Sequence, residues 1–196
     1  MSRVPTRITL IVIALTLSTC GYGQSTHDKD SSSEAVTLPD LGIRYTPPVG
    51  MVDKTTPDVK QARERANSYT TKAAQLLLDV SSAEGDDAAD WHQIWMFHFP
   101  RAQLSKMSDG MAEAKVNNAL AGAKAVEVGQ PKGAFFGGHS FLVSEFEQNE
   151  PPLTKHAKIY TTICKSQLVS FVFVSNSADQ ISGMEDSLKS LSFSAQ

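Results

Sequence analysis

The side chains able to do chemistry are few and scattered. Beyond residue 34 the histidines are His92, His98, His139 and His156. His92 and His98 fall on the same face of an alternating segment but six residues apart, roughly 20 Å at strand rise, so one ion cannot take both on a straight strand. His139 or His156 could join either across a sheet, with Glu145, Glu147 or Glu150 near in sequence. None of these spacings is a recognised metal signature, so surface or edge histidines are the expectation and no metal ligand is assigned. Glu84-Gly85-Asp86-Asp87-Ala88-Ala89-Asp90 gathers four acids that could offer oxygens to calcium. It lacks the alternating ligands and distal glutamate of an EF-hand loop and reads as a solvated acidic loop.

Nucleophiles fare no better. Gly138-His139-Ser140-Phe141-Leu142 begins like a nucleophile elbow, but Leu142 stands where the second glycine is needed. Adjacent residues of a strand point to opposite faces, so His139 is not placed to act as base for Ser140. The Gly137-Gly138 pair instead lets the chain turn before a strand. Cys164 lies inside an apparent strand and reads as a lone buried thiol, with Lys165 beside it the one hint of an electropositive setting. No catalytic residue and no cofactor is assigned. If the chain were a small hydrolase, Ser140, His139 or Cys164 would be its active groups; a metal-binding domain is the other alternative.

The other cysteine, Cys20, carries a different chemistry. Met1 to Arg7 has two positive charges and no acid, Ile8 to Leu17 is almost wholly apolar, and Leu17-Ser18-Thr19-Cys20 closes the run with small residues. This is the layout of an export signal, and an apolar run of about ten residues is too short to span a bilayer. Leu17-Ser18-Thr19-Cys20 resembles the bacterial lipobox, whose cysteine receives diacylglycerol and becomes the new N-terminus, although Thr19 stands where Gly, Ala or Ser is usual. Lipidation of Cys20 is the preferred reading, and cleavage after Gly23 is the alternative. The expected organisation is a signal peptide over 1–20, a flexible polar linker over 21–34 and one globular domain over 35–196.

Loss of Arg3 and Arg7 with the leader would move the formal charge from −3 to −5. A mildly acidic protein whose cations are dispersed among acids is not built to track phosphates, so nucleic acid is not expected as a partner.

The elements that must position these groups alternate in type. Strands are expected over Leu41 to Thr46, Gln75 to Ser82, Trp91 to Phe99, His139 to Gln148, Lys155 to Cys164 and Leu168 to Ser175, with a short one at Val126 and Val128. Pro47-Pro48 and Pro100 end two of them. Helices are expected from Thr56-Pro57-Asp58 to about Asn67, and from Ser108 to Ala121 with Gly122 as terminator. A last helix is capped by Asn176 or Ser177, with Ser177 and Gln180 at capping-box spacing, and buries Ile181, Met184, Leu188 and Leu191. Lys165-Ser166-Gln167 turns the final hairpin. Trp91, Gln93, Trp95, Phe97 and Phe99 share one face, read as core beneath covering helices, with an apolar pocket or partner site as the alternative.

Gly42-Ile43-Arg44-Tyr45-Thr46-Pro47-Pro48, Gly138-His139-Ser140-Phe141, the hairpin from Tyr160-Thr161-Thr162-Ile163 to Phe171-Val172-Phe173, and a helix ending in Ser190-Leu191-Ser192-Phe193 together resemble the PsbP/Mog1/DUF1795 group. The resemblance spans most of the chain after the leader. It implies an α+β fold, an antiparallel sheet covered by helices in an α/β/α sandwich, used for binding and accessory roles rather than catalysis. The function expected is therefore a non-catalytic exported protein, anchored at the cell envelope through Cys20, that recognises an envelope protein or small ligand.

Overall fold

A computed structural model describes residues 34–67, 74–83, 85 and 88–194. The segments expected as leader (1–20, with Cys20) and linker (21–33 of 21–34) and the acids Glu84, Asp86 and Asp87 lie outside the described residues. Eleven strands occur among those described: β1 (Val36–Leu38), β2 (Ile43–Tyr45), β3 (Val52–Asp53), β4 (Gln75–Ser81), β5 (His92–Pro100), β6 (Val126–Glu127), β7 (Lys132–Phe136), β8 (His139–Glu150), β9 (Leu153–Cys164), β10 (Gln167–Ser175) and β11 (Ser192–Phe193). The helices are α1 (Pro57–Asn67), α2 (Asp109–Ala121) and α3 (Ala178–Glu185), with 3-10 turns at Arg101–Leu104 and Asp186–Ser190.

Every strand pairing is antiparallel. The large sheet runs β3-β4-β5-β10-β9-β8-β6, with β7 also on β8, and β1-β2-β11 form a smaller one. The central strands β5, β9 and β10 are rich in Val, Ile, Phe and Thr, residues that suit a pleated, half-buried surface. Side-chain alternation gives the large sheet two apolar faces. Ile94, Met96, Phe171, Phe173, Phe141 and Tyr160 pack with Tyr45, Ile181, Met184 and Leu188, under the small sheet and α3. Phe97, Phe99, Val172, Ile159 and Phe146 pack with Ala112, Val116 and Leu120 of α2 on the opposite side. This is the α+β architecture, an antiparallel sheet covered by helices, that the resemblance implied.

Local chemistry explains most boundaries. Thr56 caps α1 by accepting the Val59 N–H on its hydroxyl (3.3 Å), with Pro57 first in the helix and Asp58 in the first turn. Gly137 (φ +55°) and Gly138 (φ +85°) form the two-residue turn joining β7 to β8, conformations that glycine adopts without a Cβ penalty. The β9–β10 turn uses Lys165 and Ser166 instead, both at positive φ.

Three expectations need correction. The final helix is not continuous: it ends at Glu185 and tightens into the 3-10 turn Asp186–Ser190, where the Ser187 hydroxyl donates to the Met184 carbonyl and the Ser190 hydroxyl to that of Ser187. Hydroxyls that bond back to the preceding turn compete with the α-helical ladder. Ser177 precedes the helix without a side-chain cap bond; the Ser175 hydroxyl does that work, accepting the Ser177 N–H (3.0 Å) and donating to Gln180 Oε1 (2.7 Å). Strands β1, β3, β7 and β11 were not expected at all. They are two to five residues long, and β7 includes Gly133, so no alternating run announces them.

Candidate functional site

The four histidines occupy separate positions. His92 Nδ1 lies 2.9 Å from the Asp90 carbonyl, and His98 Nε2 is 2.7 Å from Gln75 Oε1. The His139 ring sits 3.9 Å from that of Phe193, and His156 Nδ1 is 3.3 Å from Glu147. His156 and His92 share a ladder row, with Ser175 between them, about two strand spacings or roughly 10 Å apart. Burial depresses the His98 pKa against an opposing hydrogen bond from Gln167, which favours the neutral ring. Among the described residues no three of His, Cys, Asp or Glu converge.

His139 and Ser140 do project to opposite faces of β8: His139 pairs with Phe136, whose ring packs on Phe141 and Tyr160, while Ser140 pairs with exposed Phe135. Cys164 is a free, buried thiol that donates to the Leu41 carbonyl at 3.5 Å. Burial pushes its pKa up, and the nearby Lys165 charge offsets this only in part.

What the fold does assemble is a cleft on the α1–α2 side of the large sheet. Alternation puts Trp91, Gln93 and Trp95 of the β5 segment beside Asp79 and Ser81 of β4, Val172 and Val174 of β10, and Ala157 and Lys155 of β9. α2 covers the same sheet face toward its other end, over Phe97, Phe99 and Leu168. Between the helices lies a cleft of about 390 Å³ over Asp79, Gln93, Trp91 and Trp95, with Val59 and Arg63 of α1 on one side and Lys155 on the other. An annex of about 170 Å³ shares Trp95, Lys155 and Val174 with the cleft and continues under the C-terminal end of α2 against Leu120, Ala121, Ala125, Phe146 and Val172. Of the aromatic stripe, Trp91, Phe97 and Phe99 are buried in the core, Trp91 also bordering the cleft, whereas Trp95, the second tryptophan of the chain, is half-buried in the cleft wall.

The floor is a connected polar group. Asp79, 1% exposed, accepts from Gln93 Nε2 and lies 3.4 Å from Arg63 Nε. Arg63 also reaches Gln93 Oε1 (3.4 Å) and lays its guanidinium 4.3 Å from the Trp95 ring centre. A planar cation on an aromatic face and against a carboxylate is favourable through both the ring quadrupole and charge pairing. The Asp79 backbone is held by the Thr55 hydroxyl, which accepts its N–H at 2.8 Å, and by the Lys54 N–H at 2.7 Å, so the segment leading into α1 is tied to β4. Across the cleft, Lys155 Nζ is 5.7 Å from the Trp91 ring centre and 3.0 Å from Glu150, whose pKa it holds below the ordinary carboxylate range. Trp95 Nε1 is buried with no hydrogen-bond partner among the described residues.

Sequence patterning placed the two tryptophans and Gln93 on one face but did not find Arg63, Asp79 or Lys155. One signal was available: Asp79 is a lone charge within the apolar run Leu76 to Val80, and a buried charge in a strand requires a partner. The partner, on a helix sixteen residues away, has no local signature.

No protein-family model matches the sequence, and no curated protein matches it either. Solved structures do resemble it. The solution structure of cyanobacterial PsbP (CyanoP) from Synechocystis sp. PCC 6803 superposes with a TM-score of 0.52 at 13% identity, over 91% of this chain and 99% of that one. LpqN of Mycobacterium tuberculosis, described as involved in cell envelope biogenesis, gives 0.50 at 10% identity, over 83% of this chain and 91% of that one. At such identities the likeness is one of fold, and the chain has the PsbP/Mog1-like fold, mostly antiparallel sheet with helices on both faces.

Proposed function

We propose that this chain is an exported, envelope-associated accessory protein that binds a protein or small ligand in the Trp91–Trp95 cleft and performs no catalysis. The observation that carries the reading is that cleft: two tryptophans, two cations and a buried carboxylate held on rigid strands, a set suited to recognition. His139, Ser140 and Cys164, the groups considered for hydrolysis, lie outside the cleft, and His139 and Ser140 point to opposite faces of β8. Residues 1–20 have the pattern of an export leader with Cys20 as a lipidation site, and the polar stretch 21–34 would tether the folded part to the membrane. Among the described residues no helix is long and apolar enough to cross a bilayer, so attachment in this reading runs through Cys20. The description of LpqN as an envelope-biogenesis protein supports an envelope role by analogy of fold.

Fractionation of a bacterial host expressing the full chain tests the placement. The protein is expected in the envelope pellet, released by detergent, with the mature N-terminus mass-shifted at Cys20; Cys20→Ser moves it to the soluble fraction. An unmodified N-terminus beyond Cys20 refutes the anchor. A hydrolase screen with Ser140→Ala and Cys164→Ala controls tests the rest, and turnover lost in either variant refutes the non-catalytic role.

A further inference from the structure

We propose that β7 is a self-pairing edge: two copies of the chain join β7 to β7, antiparallel about a two-fold axis at Ala134, into one continuous sheet. The proposal goes beyond the binding role above and does not depend on the cleft. Among the described residues β7 pairs only with β8, so its outer side is open. The opposite edge of the sheet, β3, is two residues long and ends in Asp53, a short charged edge of the kind that resists pairing. β7 lacks that protection. Its five residues include no proline, and its one charge, Lys132, lies 3.6 Å from Glu145 of β8.

Backbone geometry sets the register. The residues flanking the two-residue Gly137-Gly138 turn, Phe136 and His139, form a hydrogen-bonded pair, and bonding to β8 then alternates through Phe136, Ala134 and Lys132. The N–H and C=O groups of Gly133 and Phe135 therefore point outward. A second β7 satisfies all of them in one arrangement, with each Gly133 opposite the other copy's Phe135 and the two Ala134 residues facing at the axis. A register centred on Phe135 sets Gly133 against the turn, and one centred on Gly133 sets Pro131, which has no N–H, against Phe135.

The side chains suit the same register. Phe135 is 70% exposed and shares a face with Gly133 and with half-buried Leu142, the β8 partner of Gly133. A Cβ on Gly133 would meet nothing within 4 Å, so a gap stands beside Leu142. The second copy's Phe135 comes directly opposite that gap, and an aromatic ring laid across a cross-strand glycine covers its backbone. The two-fold makes the exchange reciprocal, two rings for two gaps, as an isologous interface requires. Each Lys132 falls opposite a Phe136, which keeps the two lysines roughly 13 Å apart along the strands. So short a strand pair is smaller than the about 1,200 Å² of standard interfaces, so the expected dimer is weak, with Kd on the order of 0.1 mM.

Sedimentation equilibrium of the full chain carrying Cys20→Ser, at up to about 1 mM, should show a monomer–dimer equilibrium. Phe135→Asp and Gly133→Val should each weaken it by at least about tenfold. Both sites are exposed, so urea unfolding should confirm that the variants stay folded. The Ala134 pair at the axis is non-hydrogen-bonded, with Cα atoms about 4.5 Å apart and within disulfide reach. Under glutathione oxidation, Ala134→Cys should cross-link two copies at least about tenfold faster than Lys132→Cys, although position 132 is the more exposed and random collision would favour it. Lys132→Cys cross-linking as fast as Ala134→Cys overturns the proposal, as does a dimer indifferent to both Phe135→Asp and Gly133→Val. A monomer at every concentration overturns it too, and leaves the edge to a strand of another protein.

Discussion

Asn117 is the place where stability can be tested most sharply. It lies on α2, fully buried, directly over the large sheet. Its amide donates to Ser144 Oγ (3.2 Å) and the Leu142 carbonyl (3.3 Å), and its oxygen accepts from Thr161 Oγ1 (2.5 Å). Thr161 in turn shares a hydrogen bond with Ser170 (2.6 Å), so a polar row crosses β8, β9 and β10 beneath an otherwise apolar helix. Such a network fixes the helix in one register because any slip strands its members. Truncation to alanine leaves Ser144 and Leu142 without their donor, at about 1–2 kcal/mol, and a small cavity, at about another 1 kcal/mol. Thr161 can fall back on Ser170, so its hydroxyl adds little. The expected loss is about 2–3 kcal/mol in urea unfolding, or roughly 4–12 °C in Tm for a chain of this size. Thr161→Val should cost about 1–2 kcal/mol, and the double variant less than the two together by at least about 0.5 kcal/mol, since both remove one shared bond. A loss below about 1 kcal/mol for Asn117→Ala, or strict additivity with Thr161→Val, would refute the claim that the row acts as a unit.

Three further outcomes follow from the same geometry. Glu113, half-buried on α2, has its pKa raised to about 7, chiefly by burial and then by Asp109, against a smaller opposing effect of Arg101. A raised carboxyl pKa contributes stability below the ordinary glutamate value, near pH ~4.3, and loses it as pH rises through about 7; Glu113→Gln should therefore stabilise by about 1 kcal/mol at pH 8, after allowance for solvent screening, and have little effect at pH 4. A Cβ on Gly137 would lie 2.7 Å from the Leu191 carbonyl oxygen at φ +55°, whereas one on Gly138 meets nothing within 4 Å. Urea unfolding should show Gly137→Ala costing about 3 kcal/mol and Gly138→Ala about 1 kcal/mol, strain alone. Peptide mapping after iodoacetamide treatment should find Cys164 unmodified in native protein and fully alkylated in urea, because its thiol is buried, donates to Leu41 and has a raised pKa.

The strands and helices that sequence patterning recovers are those whose burial is periodic along the chain: the Trp91 to Phe99 alternation, the β9–β10 hairpin, and the spacing of Val116 and Leu120 on α2, although Met111, read onto the same buried face, is exposed and Ala112 is buried in its place. Periodicity reports which side of an element meets the core, and it is silent where the core is reached by two or three residues, as in β1, β3 and β11. β7 could have been found from its turn, since Gly137-Gly138 between Phe136 and His139 is a two-residue hairpin signature; reading the glycines only as a bend before β8 missed the strand before them. The cleft is illegible for a different reason. Arg63 reaches Asp79 and Trp95 only because α1 packs beside β4, and Lys155 reaches Trp91 only because β10 separates β5 from β9 by one strand. Those contacts are products of topology, so the residues that α1, β4 and β9 bring to the tryptophans of the β5 segment leave no motif in the chain beyond the β5 alternation. The likeness to solved structures at 10–13% identity is one of fold, so it carries the arrangement of strands and helices and gives no information on the side chains of this cleft.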